Sequence, residues 1–241
     1  MQKIIHNLNL KNFFNKLAET EKNICFTYSN SSNGWEKCLA WNPAEIFSIK
    51  LNKEKFKIEN FKKFVFENTK KNRKLIGFIS YDLGYVLYNI KKNAKDDLKL
   101  PDIFFCSFDN YLILGESTKA VFKKKNFINE INDISKRSII KNKNEKISSA
   151  NFSPTITKSN YSCLYDKIKN YIREGDIYQI NLTHRLEGIS NKDPKELFLK
   201  ILQNNNVDFL AYIEGPGFEI LSASPERFIK IKKNHYCPNV S

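Results

Sequence analysis

The chain has 241 residues, of which 41% are hydrophobic and 13% aromatic, including 19 Phe and 11 Tyr. This apolar content excludes a disordered chain and is sufficient for one large domain or two small domains with buried cores. The formal charge of +14 comes from lysines scattered along the sequence. It therefore indicates solvated surfaces, not a nucleic-acid-binding protein, for which the sequence has no interleaved basic and aromatic motif.

The sequence also lacks the features of secreted and membrane proteins. No segment approaches the roughly 18 consecutive apolar residues of a membrane span, and the N-terminus has no signal-peptide core. The cysteines are dispersed, without a Cys-x-x-Cys pair or a His at metal-ligand spacing, so we expect neither a disulfide framework nor a zinc site. They are Cys25, Cys38, Cys106, Cys163 and Cys237. We expect a cytoplasmic protein with no membrane partner.

The periodicity of hydrophobic residues predicts alternating helices and strands along the first half of the chain. Apolar residues recur at helical spacing over 10–17 and again over 61–65, whereas 24–28 alternates as a strand does. The apolar run within 75–84 reads as a buried strand, and 102–124 reads as further strands of a meander. This arrangement indicates an α+β fold with an antiparallel sheet.

The sequence becomes polar and repetitive over 123–154, with only a weak stripe of Ile128, Ile131 and Ile134. We expect a linker or a surface helix here and a domain boundary near Ser149. The chain would then consist of a first domain, 1–148, whose linker begins at about 123, and the start of a second domain, 156–241.

A second helix-rich part begins after this segment. Apolar residues from Tyr161 to Ile172 follow helical spacing, Thr157 or Ser159 is available as N-cap, and Gly175 stands where a glycine ends a helix. The predicted helix contains several aromatic residues on one stripe.

The residues after Gly175 change from helical to strand periodicity. Over 177–183, Tyr178 and its alternate neighbours face one way, and the amides of Gln179 and Asn181 face the other. A further helix is expected from Asp193, which forms a capping box with Glu196 and precedes a proline. The last predicted element is a hairpin over 209–223, turned by a Gly-Pro-Gly sequence.

Four short motifs follow one another in the chain: YDLG from Tyr81, LPDIFF from Leu100, GDIYQINLTHRL from Gly175 and EILSASPERF from Glu219. Each is ambiguous alone, but the ordered series resembles the chorismate-utilising enzymes that work with a glutaminase subunit. The resemblance implies the antiparallel-sheet-rich fold of anthranilate synthase component I. It also implies that the part beginning near Ile156 opens a chorismate-binding domain.

Within this family, the resemblance assigns Gln179 to the position that selects the nucleophile. Members that activate water have Lys there, so Gln179 indicates ammonia. Asn181 favours the aminodeoxychorismate synthase type, a transferase of para-aminobenzoate and folate biosynthesis. The alternative is the anthranilate synthase type, a lyase of tryptophan biosynthesis.

Three further residues match positions with roles in the family. Glu226 matches the carboxylate proposed to protonate the departing C4 hydroxyl of chorismate, a task that burial of the carboxyl group would assist. Its other interpretation is a turn carboxylate paired with Arg227. Ser29 and Phe209 match a tryptophan pocket, but Asp208 replaces the proline usual before that aromatic residue, so we expect a packing role for Phe209.

The resemblance ends after Lys233. The family continues into a segment with a nucleophilic Lys and two acidic pairs that bind magnesium, so we expect the magnesium ligands of the intact family to be absent from this chain. We therefore expect a fragment, truncated part-way through the chorismate-binding domain and inactive alone. The alternatives are a truncated anthranilate synthase component I and a non-catalytic remnant that binds a glutaminase subunit.

Overall fold

A computed structural model describes most of the chain and divides it into two compact units, Met1–Ile139 with Asp193–Ser241, and Ile140–Lys192. The predicted boundary near Ser149 lies outside the described residues, and the division into domains 1–148 and 156–241 stays a prediction. The described residues are 1–6, 8–29, 34, 36–51, 57–91, 95–115, 117–137 and 151–232, with the backbone of 235–238.

The first unit is built on a seven-stranded sheet. Its strands are β1 (Gln2–Ile5), β2 (Cys25–Tyr28), β3 (Cys38–Ala40), β7 (Tyr111–Ile113), β8 (Thr118–Val121), β11 (Phe209–Gly215) and β12 (Phe218–Ser224). They lie in the order β1-β8-β7-β3-β2-β11-β12, and every neighbouring pair is antiparallel. The predicted antiparallel α+β fold is confirmed.

Among the described residues, the first unit also contains a smaller antiparallel sheet, a separate hairpin and five helices. The sheet has the order β4-β6-β5; its strands are β4 (Glu45–Ile49), β5 (Lys74–Ile79) and β6 (Ile103–Phe108). A separate hairpin joins β13 (Ile229–Lys232) to β14 (His235–Pro238). The helices are α1 (Leu10–Thr20), α2 (Ile58–Lys70), α3 (Leu83–Leu87), α4 (Phe127–Lys136) and α6 (Pro194–Asn204).

The central strands β2, β3 and β11 hold most of the buried residues of the seven-stranded sheet, and their side chains alternate between two cores. Phe26 and Tyr212 belong to the core beneath α1, α4 and α6, whereas their neighbours Cys25 and Ile213 belong to the core shared with the smaller sheet. Because alternate residues of a strand point to opposite faces, the rings of Phe26 and Tyr212 lie on the helix side, and the smaller side chains of Cys25 and Ile213 lie on the side of the smaller sheet.

Four aromatic rings form the centre of the helix-side core. Phe14 of α1 lies 5.3 Å from Phe26, 5.9 Å from Tyr212 and 6.1 Å from Phe198 of α6, measured between ring centroids. All four side chains are fully buried. Removing each large apolar side chain from water stabilises the fold by about 1.5–3 kcal/mol, so this cluster fixes α1 and α6 on the sheet.

Helix α4 lies within the segment predicted as a linker or a surface helix. Phe127, Ile131 and Ile134 are buried. The Nε1–H of Trp41 donates a hydrogen bond of 2.6 Å to Glu130, and its ring centroid lies 5.2 Å from that of Phe127. Of the two alternatives predicted for this segment, a linker or a surface helix, the structure shows a helix over Phe127–Lys136, and its buried residues pack into the core.

The second unit consists of α5 (Lys158–Glu174) and a two-residue pairing of β9 (Ser153–Pro154) with β10 (Leu186–Glu187). The predicted caps of α5 are confirmed. The side chain of Thr157 accepts a hydrogen bond from the backbone of Asn160, and Gly175 has φ 80°, the left-handed conformation that favours glycine.

The predicted strand over 177–183 is wrong, since the structure has no strand in this segment. Tyr178 is 96% exposed and Ile180 is 51% exposed. A strand requires a neighbour that pairs with its backbone N–H and C=O groups, and within the part of the chain that the structure describes no strand pairs with these residues. Alternating sequence is therefore not sufficient for a strand here.

The remaining helix and hairpin predictions are confirmed. The side chain of Asp193 caps α6 by accepting a hydrogen bond from the backbone N–H of Lys195, with Pro194 in the first turn. Strands β11 and β12 form the predicted hairpin, closed where Gly215 pairs with Phe218. Within the described residues, no helix combines the length and apolar character needed to cross a bilayer.

Three of the cysteines lie where the two sheets of the first unit pack together. Cys25, Cys38 and Cys106 are buried free thiols, whereas Cys163 is an exposed free thiol. Burial raises the pKa of Cys38 to about 12. Burial, together with a hydrogen bond that the Cys25 thiol shares with Cys106, raises the pKa of Cys25 well above its usual value. These buried thiols therefore act as small apolar side chains.

A charged network ties the smaller sheet to the turn before β7. Asp109 accepts hydrogen bonds from Arg73 Nε at 2.9 Å and from Lys123 Nζ at 2.6 Å, and Arg73 Nη1 donates to Glu45 at 2.5 Å. Partial burial favours the neutral carboxyl group of Asp109, but the hydrogen bonds from Arg73 and Lys123 outweigh it and lower its pKa.

We expect Asp109→Asn to lower the free energy of unfolding at pH 7 by about 1–3 kcal/mol, because it removes a partly buried charged hydrogen-bond acceptor. The folded-state pKa of Asp109 lies below the ordinary value of 3.8. Its carboxylate therefore stabilises the fold above that value, and this stabilisation is lost as the pH falls through the folded-state pKa.

Chemical denaturation at pH 7 and below pH 4 measures both effects. The stability of the variant should change less with acid than that of the parent. Asp133→Asn, at an exposed position of α4, is the control and should change neither value by more than about 0.5 kcal/mol. Equal effects of the two substitutions would contradict a stabilising role for the network.

Candidate functional site

The pairing of β2 with β11 brings two predicted site residues together at one end of the large sheet. Tyr28 is the last residue of β2 and pairs with Leu210. Ser29 follows Tyr28, and Phe209 precedes Leu210, so both stand where this pairing ends. Phe209 pairs in turn with Ser224 at the end of β12. Residues from three strands therefore meet here.

Ser29 is fully buried, and Gly34 lies directly against it. A Cβ atom on Gly34 would come within 1.7 Å of Ser29 Oγ and 2.4 Å of the carbonyl oxygen of Asp208. Only a glycine fits in this space. The position predicted to contribute to a tryptophan pocket is thus closely packed by the chain itself.

Arg227 packs across this end of the sheet. Its guanidinium carbon lies 5.1 Å from the ring centroid of Phe209, and its Nη2 donates a hydrogen bond of 3.3 Å to the carbonyl oxygen of Gly34. A planar cation on an aromatic face is a favourable contact. The sequence indicates Arg227 as a partner of Glu226. It does not predict the contact between Arg227 and Phe209, because Arg227 and Phe209 are 18 positions apart.

The turn that presents Glu226 is stabilised by Ser224. The hydroxyl of Ser224 accepts a hydrogen bond of 3.3 Å from the backbone N–H of Glu226 and donates one of 3.0 Å to its carbonyl oxygen. A serine two residues before a turn residue is a recognisable local signal. The side chain of Glu226 is exposed, so the burial expected for a general acid is not found in this chain.

Gln179 belongs to the second unit and is exposed, as is Asn181. Both lie in the segment over 177–183 that forms no strand. The amide face expected from the sequence is therefore not organised by strand pairing. Gln179 therefore belongs to a different unit from Ser29 and Phe209.

The second unit also contains a small cavity at the start of α5. Its volume is about 250 Å³. The ring of Tyr161 meets that of His184 edge-on at 5.8 Å, and its hydroxyl donates a hydrogen bond of 3.4 Å to the carbonyl oxygen of Leu182. Sequence reasoning missed this contact, and no sequence pattern links the two rings. The cavity is lined by Pro154, Ile156, Thr157, Lys158, Tyr161 and His184.

Magnesium prefers several converging oxygen ligands. Among the residues that the structure describes, no group of three or more His, Cys, Asp or Glu side chains converges so that it could hold a metal ion. The described residues therefore do not fit the magnesium site that the family resemblance implies.

Comparison with known proteins identifies a family. A family model described as chorismate binding enzyme matches residues 24–236. Aminodeoxychorismate synthase component 1 of Bacillus subtilis (strain 168) is 26% identical over 176 residues, which cover 65% of this chain and 36% of that protein. Anthranilate synthase component 1 of Acetivibrio thermocellus is 27% identical over 244 residues, which cover 88% of this chain and 47% of that protein.

A solved structure shows the same fold. Anthranilate synthase component I from Streptococcus pneumoniae TIGR4 superimposes with a TM-score of 0.67 at 18% identity, covering 86% of this chain and 54% of that one. The match confirms the predicted anthranilate synthase component I-like fold. The chain spans about a third of the length of the aminodeoxychorismate synthases that it matches.

We expect Gly34→Ala to lower the free energy of unfolding by about 1–3 kcal/mol, because the new methyl group must displace Ser29 or the backbone at Asp208. Gly84→Ala is the matched control, since a Cβ atom at Gly84 in α3 meets nothing within 4 Å. It should be neutral or slightly stabilising. Thermal unfolding of both variants measures the difference, and equal melting temperatures would contradict the close packing described for Gly34.

Proposed function

Because the chain belongs to the chorismate binding enzyme family, we propose that it is part of an enzyme that converts chorismate and ammonia to 4-amino-4-deoxychorismate and water. The observation that carries this proposal is the family match over residues 24–236, which includes all four sequence motifs. The proposed product is that of the aminodeoxychorismate synthase type.

We propose that Gln179 selects ammonia as the nucleophile. An amide is neither a base nor a nucleophile near neutral pH, so it cannot activate water as a lysine does. It can hold an incoming ammonia molecule by hydrogen bonds.

We propose that Glu226 donates the proton that the C4 hydroxyl needs in order to leave as water. Hydroxide is a poor leaving group, so protonation must accompany cleavage of the carbon–oxygen bond. Burial favours the protonated form of a carboxyl group. Glu226 is exposed in this chain, so this role requires that another polypeptide layer or the substrate covers it.

Magnesium would supply charge to anchor a substrate carboxylate when it is bound. Since the described residues do not form a metal cluster, the ligands would come from outside them. We propose no step of this chain that depends on the metal.

The contacts of Ser29 and Phe209 favour a packing role over tryptophan binding. Gly34 packs against the side chain of Ser29, and the guanidinium group of Arg227 lies over the ring of Phe209. We propose that these residues hold the turn containing Glu226 against β11. A glutaminase subunit is the proposed source of ammonia, by resemblance to the family.

Anthranilate synthase component I is the second candidate. It is supported by the relative that aligns with 88% of this chain and bears that name. The two candidates share the substrate and ammonia but differ in product. Anthranilate is aromatic and fluorescent, whereas 4-amino-4-deoxychorismate retains the enolpyruvyl side chain.

The test uses the 241-residue chain alone and a fusion of it to the C-terminal part of the Bacillus subtilis relative that follows the matched region. Each is incubated with chorismate, ammonium and Mg²⁺, and products are separated by chromatography and mass spectrometry. We expect no turnover by the chain alone, because Gln179 and Glu226 are exposed to solvent. We expect 4-amino-4-deoxychorismate from the fusion.

In the fusion, Glu226→Gln should lower the rate by about 100-fold or more, since it removes the proton donor. Glu219→Gln, at an exposed position of β12, should change it less than about twofold. Anthranilate as the product would favour the second candidate. Ammonia-dependent turnover by the chain alone, or equal losses in both variants, would contradict the proposed roles.

A further inference from the structure

Two cysteines of the first unit meet from different sheets. Cys25 lies on β2 of the seven-stranded sheet, and Cys106 lies on β6, the central strand of the smaller sheet. Both are fully buried in the core that the two sheets share. The thiol of Cys25 shares a hydrogen bond with that of Cys106. Two sulfur atoms from separate layers are therefore in contact, although the residues are 81 positions apart.

Aromatic packing fixes the face of β6 on which Cys106 lies. The ring centroid of Phe104 in β6 lies 5.1 Å from that of Phe218 in β12, so Phe104 faces the seven-stranded sheet. Residues two apart on a strand point to the same face, so Cys106 faces that sheet as well. Cys25 pairs with Ile213 of β11, and both belong to the same core as Cys106. The contact between the thiols thus follows from the packing of the two sheets.

We propose that Cys25 and Cys106 form a reversible disulfide site that joins the two sheets of the first unit. Oxidation takes one hydrogen atom from each thiol, forms the S–S bond and passes two electrons and two protons to the oxidant. The oxidant is a small two-electron thiol oxidant such as diamide, whose N=N bond is reduced to a hydrazine. A dithiol reductant reverses the reaction by thiol–disulfide exchange.

The third thiol of this core, Cys38, is the natural comparison. It lies on β3, where it pairs with Thr27, whereas Cys25 pairs with Ala40. Cys25 and Cys38 are thus diagonal neighbours, whose Cα atoms are about 7–8 Å apart in an antiparallel pair. A disulfide requires Cα atoms within about 7 Å of each other. The fold therefore disfavours a bond between Cys25 and Cys38, although they are only 13 positions apart.

Burial keeps the pair unreactive while the sheets stay packed. The thiolate is the form that reacts, and burial raises the pKa of Cys25 well above its usual value. Both residues have no exposed surface. Reaction with an oxidant therefore requires a transient separation of the sheets, after which closure brings the second thiol to the first. The disulfide would then record openings of the core between the sheets.

Peptide mapping of the full 241-residue chain tests the assignment, because trypsin places its five cysteines on separate peptides. The chain is incubated with diamide, the remaining thiols are blocked with iodoacetamide in denaturant, and the monomer is digested without reductant. Mass spectrometry should find peptide 23–37 joined to 100–119, whereas 38–50 carries the blocking group. Dithiothreitol should release the two joined peptides.

The same oxidation in denaturing urea separates the effect of the fold from that of the sequence. Closing a short loop costs less entropy than closing a long one, so Cys25–Cys38 should be the commoner bond in the unfolded chain. In the folded chain, Cys25–Cys106 should exceed Cys25–Cys38 by about tenfold or more. The same ratio in both conditions would overturn the proposal. So would a folded chain that forms no bond to 100–119 at any temperature below melting.

Thermal unfolding of the oxidised chain gives a second readout. The bond closes a long loop of the unfolded chain, so it should raise the melting temperature by about 5 °C or more. Cys106→Ala should abolish this shift. Cys38→Ala removes a sulfur atom from the same core and should retain it.

An oxidised chain that melts no higher than the reduced chain would contradict a disulfide that the fold accommodates. A shift that persists in Cys106→Ala, or one that is lost in Cys38→Ala, would assign the bond to other thiols. Peptide mapping uses the chain without substitution, so it decides the question even where a variant does not fold.

Discussion

Pairing between β2 and β11 is the interaction on which the rest of the first unit depends. It joins residues about 190 positions apart, and Glu214 reinforces it. The side chain of Glu214 accepts a hydrogen bond of 3.1 Å from the backbone N–H of Ile24, while its own backbone N–H donates one of 2.9 Å to the carbonyl oxygen of Ile24. Lys195 Nζ lies 3.8 Å from the same carboxylate and donates to the carbonyl oxygen of Ala18, which ties α6 to α1.

The candidate site follows from this pairing. Because β11 lies between β2 and β12, Ser29, Phe209 and the turn containing Glu226 come to one end of the sheet. Arg227 then contacts Phe209 of β11 and the carbonyl oxygen of Gly34, which lies between β2 and β3. The site is thus held by tertiary packing, and a local change at Gly34 acts on residues almost 200 positions away.

Elements whose stability is local could be predicted from the sequence. The caps of α5 at Thr157 and Gly175, the cap of α6 at Asp193 and the hairpin of β11 with β12 all depend on residues within a few positions of each other. Elements that need a distant partner could not. The alternating residues over 177–183 predict a strand, but no described strand pairs with them. The stripe of Ile128, Ile131 and Ile134 predicts a linker or a surface helix. It does not predict that Trp41, far away in sequence, contacts Phe127 and Glu130 of this helix.

The same reason limits prediction of the site. The motifs indicate Gln179 and Glu226 as candidate site residues. They do not indicate whether these side chains are buried or exposed. Gln179 is exposed in the second unit, and Glu226 is exposed in the first unit. Neither exposure could be predicted from the motifs, because exposure depends on packing between residues that are distant in sequence.

Amide hydrogen exchange of the 241-residue chain by itself tests this account most directly. We expect the backbone amides of β2 and β11, such as those of Phe26 and Tyr212, to exchange only through global unfolding. The amides of residues 177–183 should exchange nearly as fast as in an unfolded chain. Equally slow exchange in both regions, or fast exchange at Tyr212, would contradict the claim that β2–β11 pairing holds the first unit together whereas residues 177–183 form no strand pairing.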